Sequence, residues 1–177
     1  MALHADSFSM AVAAIDEYLE ASGNCLSTQK PDGGCLGFPA ALLQFCITNA
    51  FGSYLFGDSV RIDGRMQKIT KGEPFRVLNH PLVGLSLSGL QIKLLEQSYR
   101  NTLSHNAIIE VGCFMFHTLE NPPDNPFTFA WSQVQAIDIV SVNVDSFQRL
   151  LGKAWAQFPR ERIQTWAEQR PKPRVRK

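Results

Sequence analysis

The sequence lacks any apolar run long enough to span a bilayer, which excludes a membrane-spanning helix as the expectation. Its opening residues, Met-Ala-Leu-His-Ala-Asp, lack the basic and apolar regions of a secretory signal. Cysteine is scarce: Cys25, Cys35, Cys46 and Cys113 form no C-x-x-C pair and no zinc-site spacing. These absences read together as a cytoplasmic protein with reduced thiols, no membrane association and no cofactor. Gly33-Gly34 is not a phosphate loop, because no Lys-Ser/Thr follows it. Charge of one sign is also missing. The net charge of +1 gives no global field that would draw the chain onto nucleic acid. No internal repeat is evident.

What is present suits one ordinary domain. The 177 residues are 45% apolar and 19% charged, enough to build a core. The near-neutral total hides an asymmetry. Arg170, Lys172, Arg174, Arg176 and Lys177 crowd the last eight residues without an acid, so the remainder carries −4 against the chain's +1. Pro171 and Pro173 keep this end from being helical. The expectation is a domain over 1–169 and a basic, disordered tail over 170–177, solvated or tracking phosphates.

Apolar residues at helical spacing predict a helix over 7–22, capped by Asp6 or Ser7 and ended by Gly23. A second begins near Pro39 and runs to Gly57, with so few charges that it should be the most buried. Ile62-Asp63-Gly64-Arg65 reads as a tight turn within a modestly basic loop that carries Arg61, Arg65, Lys68, Lys71 and Arg76. Ser88-Gly89-Leu90-Gln91 is a capping box, opening a third helix that should reach about His105. From Ile108 to Val144, β-branched and aromatic runs surround the breaker Asn121-Pro122-Pro123-Asp124-Asn125-Pro126, which predicts a small hairpin or three-stranded meander. Asp145 can cap a fourth helix ended by Pro159, and Arg160 to Gln169 can form one more.

The residues with the most chemistry lie together: Tyr99-Arg100-Asn101-Thr102-Leu103-Ser104-His105-Asn106. An Arg followed by Asn, with His five residues after the Arg, is expected roughly 0.01 times in a shuffled chain of this composition. Histidine exchanges a proton near neutral pH. Arginine keeps its charge and matches two phosphate oxygens with a planar fork. Such a pair suits RNA cleavage by the 2′-hydroxyl, which needs a proton acceptor and a stabiliser of phosphate charge. On an α-helix, residues five apart point about 140° away from each other, so one subunit need not bring both to one point.

This segment resembles the R-N-x-x-x-H signature of the HEPN domain family. The flanking Tyr99 and Asn106-Ala107 resemble family members with a YRN…HNA segment. An aromatic two residues after the His, common in toxin-type members, is replaced here by Ala107. The resemblance implies a mainly α fold: a HEPN-like bundle of four to five helices, with the β-hairpin or meander inserted at about 108–144. It implies a metal-independent endoribonuclease, with Arg100 and His105 catalytic and Asn101 supporting. Tyr99, Ser104, Asn106, Arg61 and Arg65 would bind substrate. A homodimer would bring two motifs into one cleft. A toxin–antitoxin or phage-defence setting, with a neutralising protein partner, would follow.

Two other readings stand beside it. One is a non-catalytic HEPN module that binds a nucleotide, RNA or a protein. The other treats the motif as ordinary helix chemistry: Arg100 paired with Glu96 one turn earlier, His105 at a helix C-terminus, and Asn101 and Asn106 as helix-end residues. His80, in Asn79-His80-Pro81, is a second histidine ahead of the motif helix, while His4 and His117 look isolated. Trp131, Trp155 and Trp166 read as core or interface.

Overall fold

The computed structural model describes residues 6–31, 34–101, 111–118 and 121–169, with Arg100 and Asn101 described as backbone. Helix α1 spans Ser7–Ser27, and the Asp6 carboxylate caps it by accepting from Ser9 N–H at 2.7 Å. It does not stop at Gly23. Its end is set where the Thr28 N–H and hydroxyl both donate to the Asn24 carbonyl, at 3.0 and 2.7 Å. Helix α2, Gly37–Tyr54, buries residues around most of its circumference, as its lack of charge predicts. Gly52 lies so close to the Pro74 backbone that an added Cβ would fall within hard contact of that carbonyl.

The segment read as a basic loop is ordered. Strands β1 (Ser59–Ile62) and β2 (Arg65–Lys68) form an antiparallel hairpin. Asp63 and Gly64 turn the chain with φ of 48° and 76°, the left-handed pair that a two-residue hairpin loop requires. A 3-10 helix, Pro74–Asn79, then buries Phe75, Val77 and Leu78. The capping box forms in full: Gln91 N–H donates to the Ser88 hydroxyl at 3.2 Å, and Ser88 N–H donates to Gln91 Oε1 at 2.8 Å. Helix α3 nevertheless covers only Gly89–Leu95. The chain continues as a π-helical segment, Glu96–Asn101, in place of the α-helix expected to reach His105.

Beyond it lie β3 (Cys113–Phe116), β4 (Phe127–Ser132) and β5 (Ile137–Asn143), then α4 (Val144–Ala156) and α5 (Arg160–Glu168). The sheet order is β3-β5-β4. β4 and β5 form an antiparallel hairpin, but β3 runs parallel to β5, so the expected meander is not formed. Asn143 rather than Asp145 caps α4, accepting from Ser146 N–H at 2.9 Å.

The HEPN-like helical bundle with an inserted sheet is therefore replaced by a mixed α/β fold with two sheets. The sheet is part of the core and not an appendage. The ring of Phe45, on α2, lies 5.8 Å from Phe75 of the 3-10 helix, 5.4 Å from Tyr99 of the π segment and 5.2 Å from Phe147 of α4. Phe127 of β4 meets the same Phe147 ring at 5.0 Å. Val140, Val142 and Cys113 are buried in this same core. Burying one sheet face against helices removes apolar area that a bundle would have to cover with further helices.

Candidate functional site

The π-helical segment carries the first part of the motif. Tyr99 is fully buried, its ring stacked against Phe45. Its hydroxyl proton faces the carbonyl oxygens of Phe114 and Val140, each at 2.6 Å, and its oxygen accepts from Phe114 N–H at 3.0 Å. One phenol thus bridges β3 and β5 from inside the core. Burial, and then the neighbouring Cys113, push its ionisation well above the ordinary tyrosine range. It remains a neutral hydrogen-bonding group at physiological pH. Expected to touch substrate, Tyr99 instead holds the chain immediately before Arg100.

Arg100 and Asn101 are the last residues of the π segment. Ser104, His105 and Asn106 lie outside the described residues. Arg61 and Arg65 are exposed on the hairpin. The hairpin and the π segment border one cleft: Ile62 and Gln67 line a space of about 450 Å³ together with Lys93, Glu96 and Gln97. Asp63 strengthens this junction by accepting from Gly89 N–H at 3.1 Å, at the start of α3. The hairpin that carries Arg61 and Arg65 and the start of the π segment therefore border one cleft, but neither arginine lines it.

The other histidines are committed elsewhere. His80 Nε2 lies 3.5 Å from Asp58 Oδ2, and its Nδ1 accepts from Leu82 N–H at 3.3 Å. Asp58 also pairs with Arg162 of α5. Burial lowers the pKa of His80; Asp58 opposes that shift and Arg162 adds to it. A neutral ring with its proton on Nε2 satisfies both nitrogens, which is a structural role.

His117 is not isolated, as the sequence suggested. Its Nδ1 lies 2.7 Å from Asp145 Oδ2, a close contact without hydrogen-bond alignment. Asp145 also accepts from Thr118 N–H at 2.8 Å. His117 and Cys35 line a small cavity of about 210 Å³. Burial and Asp145 raise the Cys35 pKa, so this thiol is protonated at neutral pH and weakly nucleophilic. No sequence spacing signals the His117–Asp145 pair, because both β4 and β5 lie between them in the chain.

Trp155 is buried, with Nε1–H donating to Asp16 at 2.6 Å and the Arg160 guanidinium 3.7 Å above its ring. Trp166 packs edge-on against Tyr54, whereas Trp131 is 59% exposed at the end of β4. Among the described residues, no three His, Cys, Asp or Glu side chains are placed to hold a metal ion, and no helix is long and apolar enough to cross a membrane. Comparison with known proteins finds no matching family model, no matching curated protein and no matching solved structure.

Proposed function

We propose that the chain is a metal-independent endoribonuclease whose reacting groups are Arg100 and His105. The reading rests on the R-N-x-x-x-H motif and not on a helical bundle. The observation that supports it best is the π-helical segment ending in Arg100-Asn101. Winding of this kind is rare and recurs at functional sites, because it sacrifices regular hydrogen bonding to re-aim a few side chains. Tyr99 lies within it, and its buried, three-fold hydrogen-bonded phenol holds the chain immediately before Arg100. Rigid support of this kind is what a reacting arginine needs.

In the proposed reaction His105 accepts the proton of the 2′-hydroxyl, and that oxygen attacks the adjacent phosphorus. The bond from phosphorus to the 5′-oxygen breaks, and the leaving oxygen takes a proton from an imidazolium. Arg100 stabilises the charge on the phosphate oxygens, with Asn101 supporting it. The products are a 2′,3′-cyclic phosphate and a 5′-hydroxyl. A two-fold dimer would place two motifs in one cleft. A neutralising protein partner, as in toxin–antitoxin or phage-defence systems, belongs to the same reading.

The test is incubation of the purified full chain with a mixed RNA pool in EDTA, beside His105→Ala and Arg100→Ala, with mapping of the ends. Cyclic-phosphate ends from the wild type alone are the expected result. No cleavage by folded protein over a broad set of RNAs would replace this reading with a non-catalytic module that binds a nucleotide, RNA or a protein.

A further inference from the structure

The hairpin of β1 and β2 has two unlike faces. Val60 and Ile62 are buried on one side. The register pairs Ser59 with Lys68 and Arg61 with Met66, and all four are exposed on the other side. Arg65 follows the turn and is exposed too, but it pairs with Ile62 and so leaves the ribbon on the opposite face; Lys71 lies just beyond β2 with its ammonium 5.7 Å from the exposed Phe56 ring.

The acids of this region are all engaged. Asp58 pairs with Arg162 and His80. Asp63 accepts from Gly89 N–H. Glu73 pairs with Arg76 at 2.7 Å and accepts from the Thr70 hydroxyl at 3.2 Å. The cations have no such partner. Among the described residues no carboxylate pairs with Arg61, Arg65, Lys68 or Lys71, and the Arg61 guanidinium donates to the Gly64 carbonyl at 3.3 Å. A body that is acidic without its tail thus concentrates four cations that no described carboxylate pairs with, and Met66, on and just beyond one small ribbon.

The ribbon is also held firmly. Asn79 Nδ2 donates to the Arg61 carbonyl at 3.0 Å, and Arg76 donates to the Lys68 carbonyl at 2.7 Å. Arg61, Arg65 and Lys68 therefore project from a fixed backbone, and Arg65 leaves it on the face whose Ile62 and Gln67 line the cleft beside the π segment. Like charges on adjacent strands repel one another, and a polyanion laid across them relieves that repulsion.

We infer that the exposed surface of the β1–β2 hairpin binds the phosphate backbone of single-stranded RNA, gripped by Arg61 and Lys68 on its outer face, Arg65 at the turn and Lys71 just beyond β2. This rests on the ribonuclease reading for its ligand and adds the element that holds the strand. Neutralising four phosphates of a single strand gives a slope of log affinity against log salt of about −3, at about −0.7 per phosphate. Between roughly 50 and 200 mM salt, that is about a 50-fold loss of affinity.

The experiment measures anisotropy of a fluorescein-labelled single-stranded oligonucleotide, 2′-O-methylated throughout, against the full chain over that salt range. This probe has no free 2′-hydroxyl and cannot be cut by the proposed reaction. The triple variant R61Q/R65Q/K68Q should leave a slope near −0.7, whereas R170Q/K172Q/R174Q, in the basic tail, should keep at least two-thirds of the wild-type slope. All three hairpin positions are exposed, and a matching thermal transition confirms that the variant folds.

An unchanged slope in the hairpin variant overturns the inference, whatever the cleavage assay gives. So does binding to phosphatidylserine-containing vesicles without binding to the oligonucleotide. Wild-type binding with the expected slope, but no cleavage of natural RNA, leaves the ribbon standing and removes the ribonuclease.

Discussion

Replacing Tyr99 with Phe removes one oxygen and leaves the ring. The stacking on Phe45 and the filled volume are retained, so no cavity term enters. What is lost is the bridge: Phe114 N–H loses its acceptor at 3.0 Å, and two carbonyls lose a donor at 2.6 Å. A buried polar group left unpaired costs about 1–3 kcal/mol. Because the strands can close slightly and the carbonyls share one proton, the expected loss is about 2–3 kcal/mol. For a chain of this length, each kcal/mol corresponds to about 2–4 °C in Tm, giving a drop of roughly 4–12 °C. Urea unfolding followed by tryptophan fluorescence should show a lower midpoint at constant slope. The same variant tests the ionisation. The folded phenol ionises above the unfolded one, so the group's contribution is fully present below pH about 10 and is lost as pH rises beyond it. Wild type should lose stability above that pH more steeply than Tyr99→Phe. A midpoint shift equivalent to less than about 0.5 kcal/mol would show that the phenol is not a bridge, and the fixed position argued for Arg100 would lose its cause.

Three further outcomes can be checked directly. Gly52→Ala should destabilise by about 1–3 kcal/mol or more, because the new methyl meets the Pro74 backbone and no flexible side chain can yield; thermal unfolding reads this. Asn79→Ala removes donors to the Arg61 and Leu87 carbonyls and the acceptor for Leu87 N–H, so about 2–3 kcal/mol should be lost. Faster amide exchange in β1 and β2 is expected with it. The His80 pKa is lowered in the folded state, so its contribution is present above pH about 6.5 and lost as pH falls through the folded pKa. NMR titration of the His80 ring should place its midpoint below 6.5, and a midpoint above it would refute the burial argument.

Legibility in the sequence followed the range of the interaction. The Ser88–Gln91 capping box, the Asp63-Gly64 turn and the uncharged α2 are local, fixed within a few residues, and all can be read directly. The hairpin around that turn was hidden. Its strands are four residues long, and only Val60 and Ile62 carry an apolar signal, so its order comes from docking onto the 3-10 helix and α3. The parallel pairing of β3 with β5 was hidden too, because β4 intervenes in sequence and antiparallel order is the simpler expectation. The helical-bundle expectation rests on the motif's resemblance alone, and eight residues of motif carry no information about a sheet built from β3, β4 and β5. At the site, the motif's residue types were plain, but the role of Tyr99 was not. A tyrosine beside an Arg-Asn pair reads as a substrate contact until its partners at Phe114 and Val140, 15 and 41 residues away, are placed.

Those separations bear on the order in which the molecule comes into being during synthesis. Phe45 leaves the ribosome about a hundred residues before Phe147, and the Gln44 amide waits as long for the Val144 carbonyl, at 2.9 Å. The phenol of Tyr99 has nothing to bridge until β5 exists. Long-range pairings of this kind form late. A nascent chain ending before β5 therefore holds helices α1 and α2 and the hairpin but leaves the motif unanchored, and any activity that depends on that anchor begins only when the last third of the chain has been made.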